Sequence, residues 1–277
     1  MSVKIVTDST ADIPAEVVQA LGITVVPLTV HFGDKVYRDG VDIDAERFLA
    51  ALATSRALPH TAQPPPGAFV EVYRALLDQG HDIISIHLSS KLSGTINSAL
   101  LARQEAGATE RITVVDSLWT SMALGLVVIS AAIAAQQGDE PPQILRLVDE
   151  RLQKLHLLLF VDTMEYLQRG GRIGRAAAFL GGLLSVKPMI TLQEGEVHPI
   201  ERVRTRSRAI ERLWLWASEF PSVSDFCVLH ISSLEDAKAL FDRIQQRFPT
   251  AKGYVASVGP VVGTHVGPGA VGVALCA

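Results

Sequence analysis

The sequence predicts an α/β protein of two domains, and three observations carry that reading. Short β-branched and aliphatic runs alternate with amphipathic stretches through the first half, the pattern of buried parallel strands joined by helices. Leu118–Ala135 carries no charge at all, as a helix buried between a sheet and a second layer requires. Beyond Leu157 the pattern changes, and Glu194-Gly195 separates two apolar runs as a hairpin turn does. The first domain is expected over residues 1–156 with a mainly parallel sheet flanked by helices, the second over residues 157–277.

The elements follow in order. Strands are expected at Val3–Thr7, Thr24–Val30, Ile83–Leu88 and Ile112–Asp116. Helices are expected between them, at Ala15–Leu21, Asp44–Ala53, Gly67–Gln79 and Thr95–Ala106. Asp12 before Ile13-Pro14 reads as the cap of the first helix, and Ser93 or Thr95 as the cap of the fourth. AAQQGDEPP at Ala134–Pro142 ends the apolar helix. A helix at Gln143–Leu155 and an unbroken apolar strand at Leu157–Val161 come next. Gly170-Gly171 breaks a short helix, and Ala176–Leu184 reads as a very apolar one. The hairpin pairs Met189–Leu192 with Val197–Val203. A helix at Thr205–Ser218, a strand at Phe226–Ile231, a helix at Leu234–Arg247 and two strands complete the chain.

Composition bounds the function. Hydrophobic residues make up 48 % of 277 residues and charged ones 19 %, ample for a sizeable core. A net charge of −4 offers no basic field for nucleic acid. Cys227 and Cys276 form neither a metal-type spacing nor a disulfide framework, which points to a reducing cytoplasm. Asp8 and Asp12 interrupt the start where a secretory signal would need an apolar stretch. Leu118–Ala135 is long enough to imitate a membrane span. It lacks a basic flank and holds Thr120, Ser121, Gly125 and Ser130, so it is read as a core helix.

Several motifs fail their context. Gly267–Gly272 spells G-x-G-x-x-G, but only a strand-like tail follows it, with no helix and no acidic residue downstream. There is no G-x-x-x-x-G-K-[ST] and no G-x-S-x-G. The eight histidines are scattered, with no H-E-x-x-H. No metal site and no cofactor are expected.

The most informative segment is Ile83–Ala99, an apolar strand, a loop holding Ser89, Ser90, Ser93 and Gly94, and a helix opening at Thr95. Hydroxyls at a helix start suit a carboxylate or phosphate; they equally suit an ordinary cap. Thr61, in the stiff LPHTAQPPP loop, is placed to join the same site or to lie on a turn. His265, between Gly263 and Gly267, offers an imidazole to an anion, or a base to Ser93, or simply a loop histidine bonded to carbonyls. Arg202, Arg204, Arg206, Arg208 and Arg212 form the densest basic run, and Arg169, Arg172 and Arg175 surround Gly170-Gly171. Each set is a candidate anion contact or a solvated face.

The chain resembles the DegV family. The likeness rests on KIVTDSTADIP at Lys4–Pro14, HTAQP around Thr61, SSKLSGT at Ser89–Thr95, YLQRGGRIG at Tyr166–Gly174, KPMITLQEGEVHPIERVRT at Lys187–Thr205 and VGTHVGPGAVG at Val262–Gly272. It departs from the family's usual T-S-Q-P-S at Ala62 and Pro65, while Thr61 is kept. The resemblance implies a long-chain fatty acid held in a cleft between two α/β domains, with no cofactor and no catalytic residue. Its carboxylate would meet Thr61 and Ser93 beside Gly94. His265 and an arginine, Arg172 or Arg202, would extend the polar network. Leu157–Phe160 and Ala176–Leu184 are candidate tunnel walls. The implied role is bacterial and cytoplasmic, with transient membrane contact: presenting the lipid to a separate ATP-using kinase subunit, which makes acyl phosphate for phospholipid synthesis. The competing reading of the same residues is a hydrolase or acyltransferase with Ser93 as nucleophile and His265 as base.

Overall fold

The computed structural model describes residues 2–55, 58–180 and 186–277. The chain opens with β1 (Val3–Asp8), α1 (Ala15–Leu21) and β2 (Thr24–Val26). Three short strands follow, β3 (Thr29–Phe32), β4 (Lys35–Arg38) and, after α2 (Ala45–Thr54), β5 (His60–Ala62). The first half ends with α3 (Pro66–Asp78), β6 (Asp82–His87), α4 (Thr95–Ala106) and β7 (Ile112–Asp116). Strands β2-β1-β6-β7 form a sheet paired in parallel throughout. The right-handed βαβ connections that such a sheet requires are the helices the sequence supplies.

The expected strand Thr24–Val30 is divided. Pro27 cannot donate to a ladder, and the chain leaves the first sheet there. It enters an antiparallel three-stranded sheet, β4-β3-β5. Thr61 consequently sits on a strand, opposite Val30, and not in a loop. Asp12 does not cap α1. It adopts a left-handed conformation at φ 51°, and Pro14 takes the cap position.

The charge-free run becomes α5 (Ser121–Gln137), buried at twelve of its 17 positions. It packs on β1 and β6 of the first sheet and on β8, β11 and β13 of the second, so both of its faces are covered and only its last residues, Gln136 and Gln137, are exposed. Gly125 lets the turn at Ser9–Ala11 approach, since a Cβ there would lie 2.6 Å from the Ala11 carbonyl. Among the described residues no helix is long and apolar enough to cross a membrane.

After α6 (Pro141–Gln153) come β8 (Leu155–Phe160), α7 (Glu165–Arg169), β9 (Lys187–Gln193) and β10 (Glu196–Val203). The chain then forms α8 (Arg206–Ser218), β11 (Asp225–His230), α9 (Leu234–Arg247), β12 (Lys252–Ser257), α10 (Pro260–Val266) and β13 (Val271–Cys276). The second sheet runs β10-β9-β8-β13-β11-β12, with only β11 and β12 parallel. The chain enters it at Leu155, ahead of the expected junction at Leu157. Glu194-Gly195 makes the expected hairpin, both residues at positive φ. Where an apolar helix is expected at Ala176–Leu184, the described part is a 3₁₀ turn, Gly174–Phe179. Residues 181–185 lie outside the described residues.

Candidate functional site

A cavity of about 280 Å³ lies between the sheets. Its walls are aliphatic. Leu157 and Leu159 of β8 alternate toward it with Ile190 and Leu192 of β9, and Val262 and Val266 come from α10. Of the expected wall Leu157–Phe160, Leu157 and Leu159 line the cavity. Alternation along a strand sends every second side chain to one face, which is why Leu158 and Phe160 pack instead with α8 and α9.

Four of the expected polar residues line the same cavity: Thr61, Ser93, Arg172 and His265. Their contacts form a chain. Thr61 Oγ1 lies 2.9 Å from His265 Nε2. His265 Nδ1 faces the Cα of Gly170, where an added Cβ would come within 2.2 Å. The Gly170 carbonyl accepts from Arg172 Nη1 at 2.8 Å, and Arg172 Nε donates to the Leu92 carbonyl at 3.0 Å. Ser93 follows Leu92. A hydroxyl, an imidazole and a guanidinium from three distant segments thus meet at one cavity.

His265 occupies the last turn of α10 and not a loop. Pro260 starts that helix at its first position, where a missing N–H costs nothing. Gly267 ends it at φ 77°. Burial pushes the His265 imidazole down to about 4, with the Arg172 charge adding to the effect. The ring is therefore neutral at physiological pH.

Ser93 does not meet His265. Its hydroxyl lies 2.9 Å from Thr95 Oγ1 and accepts the Thr95 N–H at 3.3 Å. The cap position of α4 falls to Gly94, with no side-chain cap bond. Among the described residues no hydrogen bond joins Ser93 to His265, and the imidazole nitrogen that would serve as base is held by Thr61. A neutral ring depressed this far is also a weak base. The nucleophile-and-base reading loses its geometry on both counts.

Gly94 stands behind the cavity surface. A Cβ there would lie 2.1 Å from Gln63 Oε1, so its role is to admit Gln63, which lines the cavity and donates to Ser98 Oγ at 3.1 Å. Arg202 lies outside the cavity, which corrects its pairing with Arg172. It emerges near the end of β10, the edge strand, with its guanidinium 4.6 Å from the Phe179 ring centre.

Thr10 also lines the cavity and went unread in the sequence. Its hydroxyl donates to Asp8 Oδ1 at 2.5 Å. Asp8 further accepts from Leu88 N at 3.0 Å and contacts His87 Nδ1 at 2.9 Å. His87 Nε2 reaches Ser85 Oγ at 2.6 Å, which accepts from Tyr73 at 2.8 Å. This Asp-His-Ser chain is fully buried, so it fastens the β1 and β6 ends beside the site and is closed to substrate. The signal for Thr10 was its place two residues beyond the end of an apolar strand, where ligands meet parallel sheets.

A family model described as "Uncharacterised protein, DegV family" matches residues 2–277. A DegV domain-containing protein of Streptomyces coelicolor is 41 % identical, over 98 % of this chain and 97 % of its own. Protein DegV of Bacillus subtilis is 34 % identical, over 100 % and 99 %. Among solved structures, a DegV family protein from Thermus thermophilus described for its fatty acid binding superposes with a TM-score of 0.91 at 34 % identity, covering 100 % of both chains. The Bacillus subtilis DegV structure, described as a fatty acid binding protein, gives 0.89 at 34 % identity, covering 100 % of this chain and 99 % of that one. With its three sheets, its aliphatic cavity and a family model matched from residue 2 to residue 277, the chain belongs to the DegV family.

Proposed function

We propose that this protein binds a long-chain fatty acid and presents it to a separate ATP-dependent kinase subunit for acyl phosphate formation. The observation that carries the reading is the Thr61–His265 pair in an otherwise aliphatic cavity. An apolar chain with one polar end is the ligand whose chemistry matches both parts.

The head group is argued from the neutral imidazole. With its proton on Nε2, His265 donates to Thr61, and only a lone pair at Nδ1 is left facing Gly170. Thr61 then has its own O–H free to donate to a carboxylate, and Ser93 offers a second hydroxyl. Arg172, fixed by two carbonyls, supplies the positive charge. Each methylene buried is worth about 0.8 kcal/mol and each charge-assisted hydrogen bond about 1.5–3 kcal/mol. The alkyl chain therefore supplies most of the affinity, and the head contacts fix orientation and select an acid.

The kinase step is assigned to a partner because the glycine motif at Gly267–Gly272 leads into β13 and not into a helix. Arg202, exposed and away from the cavity, is read as a contact for that partner or for the phosphorylated product. The setting is cytoplasmic, with brief contact at a membrane surface when lipid is exchanged.

The test is native mass spectrometry of the purified protein, followed by denaturing extraction and lipid identification. One long-chain fatty acid per protein, present at isolation or acquired from a mixture, is the expected result. A protein that stays empty with every fatty acid offered overturns the reading.

A further inference from the structure

The two central strands of the cavity wall part company below the site. β8 pairs with β13 along its whole length, from Leu155 to Phe160. It pairs with β9 only at Leu159–Ile190 and Phe160–Met189. Were the ladder to continue, Leu157 would face Leu192. Instead the strands splay, and Thr191 Oγ1 donates to the Leu157 carbonyl at 2.6 Å, a side chain standing where a backbone donor would.

The splay leaves side chains, and no backbone ladder, between the two strands there. On the far side of these side chains is a groove of about 590 Å³. Trp119 and Asp116 line it from one face of the sheet, and Trp216 and Arg212 from the other. Leu157, Thr191 and Leu192 line both this groove and the aliphatic cavity. These three residues thus form the partition shared by the two spaces, and the Thr191 hydroxyl is held there by the Leu157 carbonyl at 2.6 Å and the Leu192 carbonyl at 3.3 Å.

We propose that Leu157, Thr191 and Leu192 set the upper limit on acyl chain length, and that the groove beyond receives the methyl end of a longer chain when the partition is opened. The occupant is the ligand's own tail, because the same three residues line both the cavity and the groove, and Trp119 and Trp216 offer it apolar surface. The inference rests on the fatty-acid reading above. It concerns the limit of the chain, whereas that reading rests on the head group.

The experiment loads wild type, Leu192→Ala, Leu192→Phe and Thr191→Ala with an equimolar mixture of saturated fatty acids from lauric to behenic. Native mass spectrometry then reads the ligand distribution. A homologue two methylenes longer gains affinity only if both find room, so opening the partition should change the ratio of successive even homologues on the order of tenfold. Leu192→Ala and Thr191→Ala should shift the distribution to longer chains, and Leu192→Phe to shorter ones. Thr191 is half-buried and its truncation removes less buried apolar volume than Leu192→Ala, so it keeps the test open if Leu192→Ala does not fold. Folded variants that bind with the wild-type distribution overturn the inference and leave the fatty-acid reading intact. A wild type that binds no fatty acid overturns that reading itself.

Discussion

Asp12 and Asp39 grip the same end of one helix. Asp12 Oδ1 accepts the Gly259 N–H at 2.9 Å, and Asp39 accepts the Val261 N–H; His265 is at the other end of that helix. Both carboxyls are buried. Burial, with Asp8 nearby, raises Asp39 to about 7; burial, with Asp39 and Asp8 nearby, raises Asp12 well above the usual carboxylate range. Ser9 and Ser121 partly offset this by donating to them.

The sign of the resulting pH effect follows from linkage. Folding favours the protonated carboxyls, so this stabilisation is present in acid and is lost as pH rises from the ordinary value of 3.8 through about 7 for Asp39. Asp39→Asn removes the titration and keeps an acceptor for Val261. Its thermal midpoint should exceed that of wild type at mildly alkaline pH and approach it at mildly acidic pH. An equal shift at both would show that Asp39 is not protonated in the folded protein.

His265 titrates the other way. Its folded value near 4 lies below the ordinary 6.5, so it contributes stability above pH 6.5 that is lost as pH falls through about 4. The ring proton resonances of His265, followed by NMR on the ligand-free protein, should show a midpoint near the lower value. A midpoint near 6.5 would mean that the imidazole is solvated and not packed behind Thr61.

Removing the head-group hydroxyls tests the site directly. Thr61→Val and Ser93→Ala should each weaken fatty acid binding by about tenfold or more, the loss of one hydrogen bond to a charged group. The unfolding midpoint should move little, because neither side chain is part of the core. Displacement of a fluorescent fatty acid measures the first and circular dichroism the second. Unchanged affinity in the double variant excludes these residues from the head-group site.

Gly170 is a more demanding probe. Its φ of −74° suits any residue, so Gly170→Ala acts only through the Cβ that would strike His265 Nδ1 at 2.2 Å. Affinity should fall about as far as in His265→Ala. The double variant should be no worse than either single one, since both act on the same ring. Additive losses would place Gly170 outside the site.

Arg202→Glu separates binding from turnover. Lipid uptake should stay near wild type, and acyl phosphate formation with a kinase subunit should fall by an order of magnitude or more. An equal loss of both would return Arg202 to the binding site.

Much of this was legible because local signals agreed with the fold. The bounds of α1, α4 and α9 match those expected, each running to a residue whose successor breaks or ends the helix. The apolar run before GDEPP gave α5 away, because only a helix covered on all sides omits charge for so long. The failures have particular causes. In α10, Gly263 and three valines hide a helix that tertiary contact supports. The small sheet β4-β3-β5 is built from strands of three or four residues, too short for alternation to register. Thr61 and His265 meet across 204 positions of sequence, a distance that no spacing rule spans. Arg202 was drawn to the site by its motif, but it leaves the sheet at its edge.

One consequence of the strand order concerns synthesis. β13, residues 271–276, lies in the interior of its sheet between β8 and β11, and neither neighbour can substitute for it. A ribosome that has released everything up to α10 carries a complete first sheet and an open second one. The face of α5 that will meet β13 is then bare, and the β8 and β11 edges are unpaired. Unpaired strand edges of this kind are an aggregation liability. Closure of the second sheet therefore depends on residues 271–276, which pair with β8 on one side and β11 on the other.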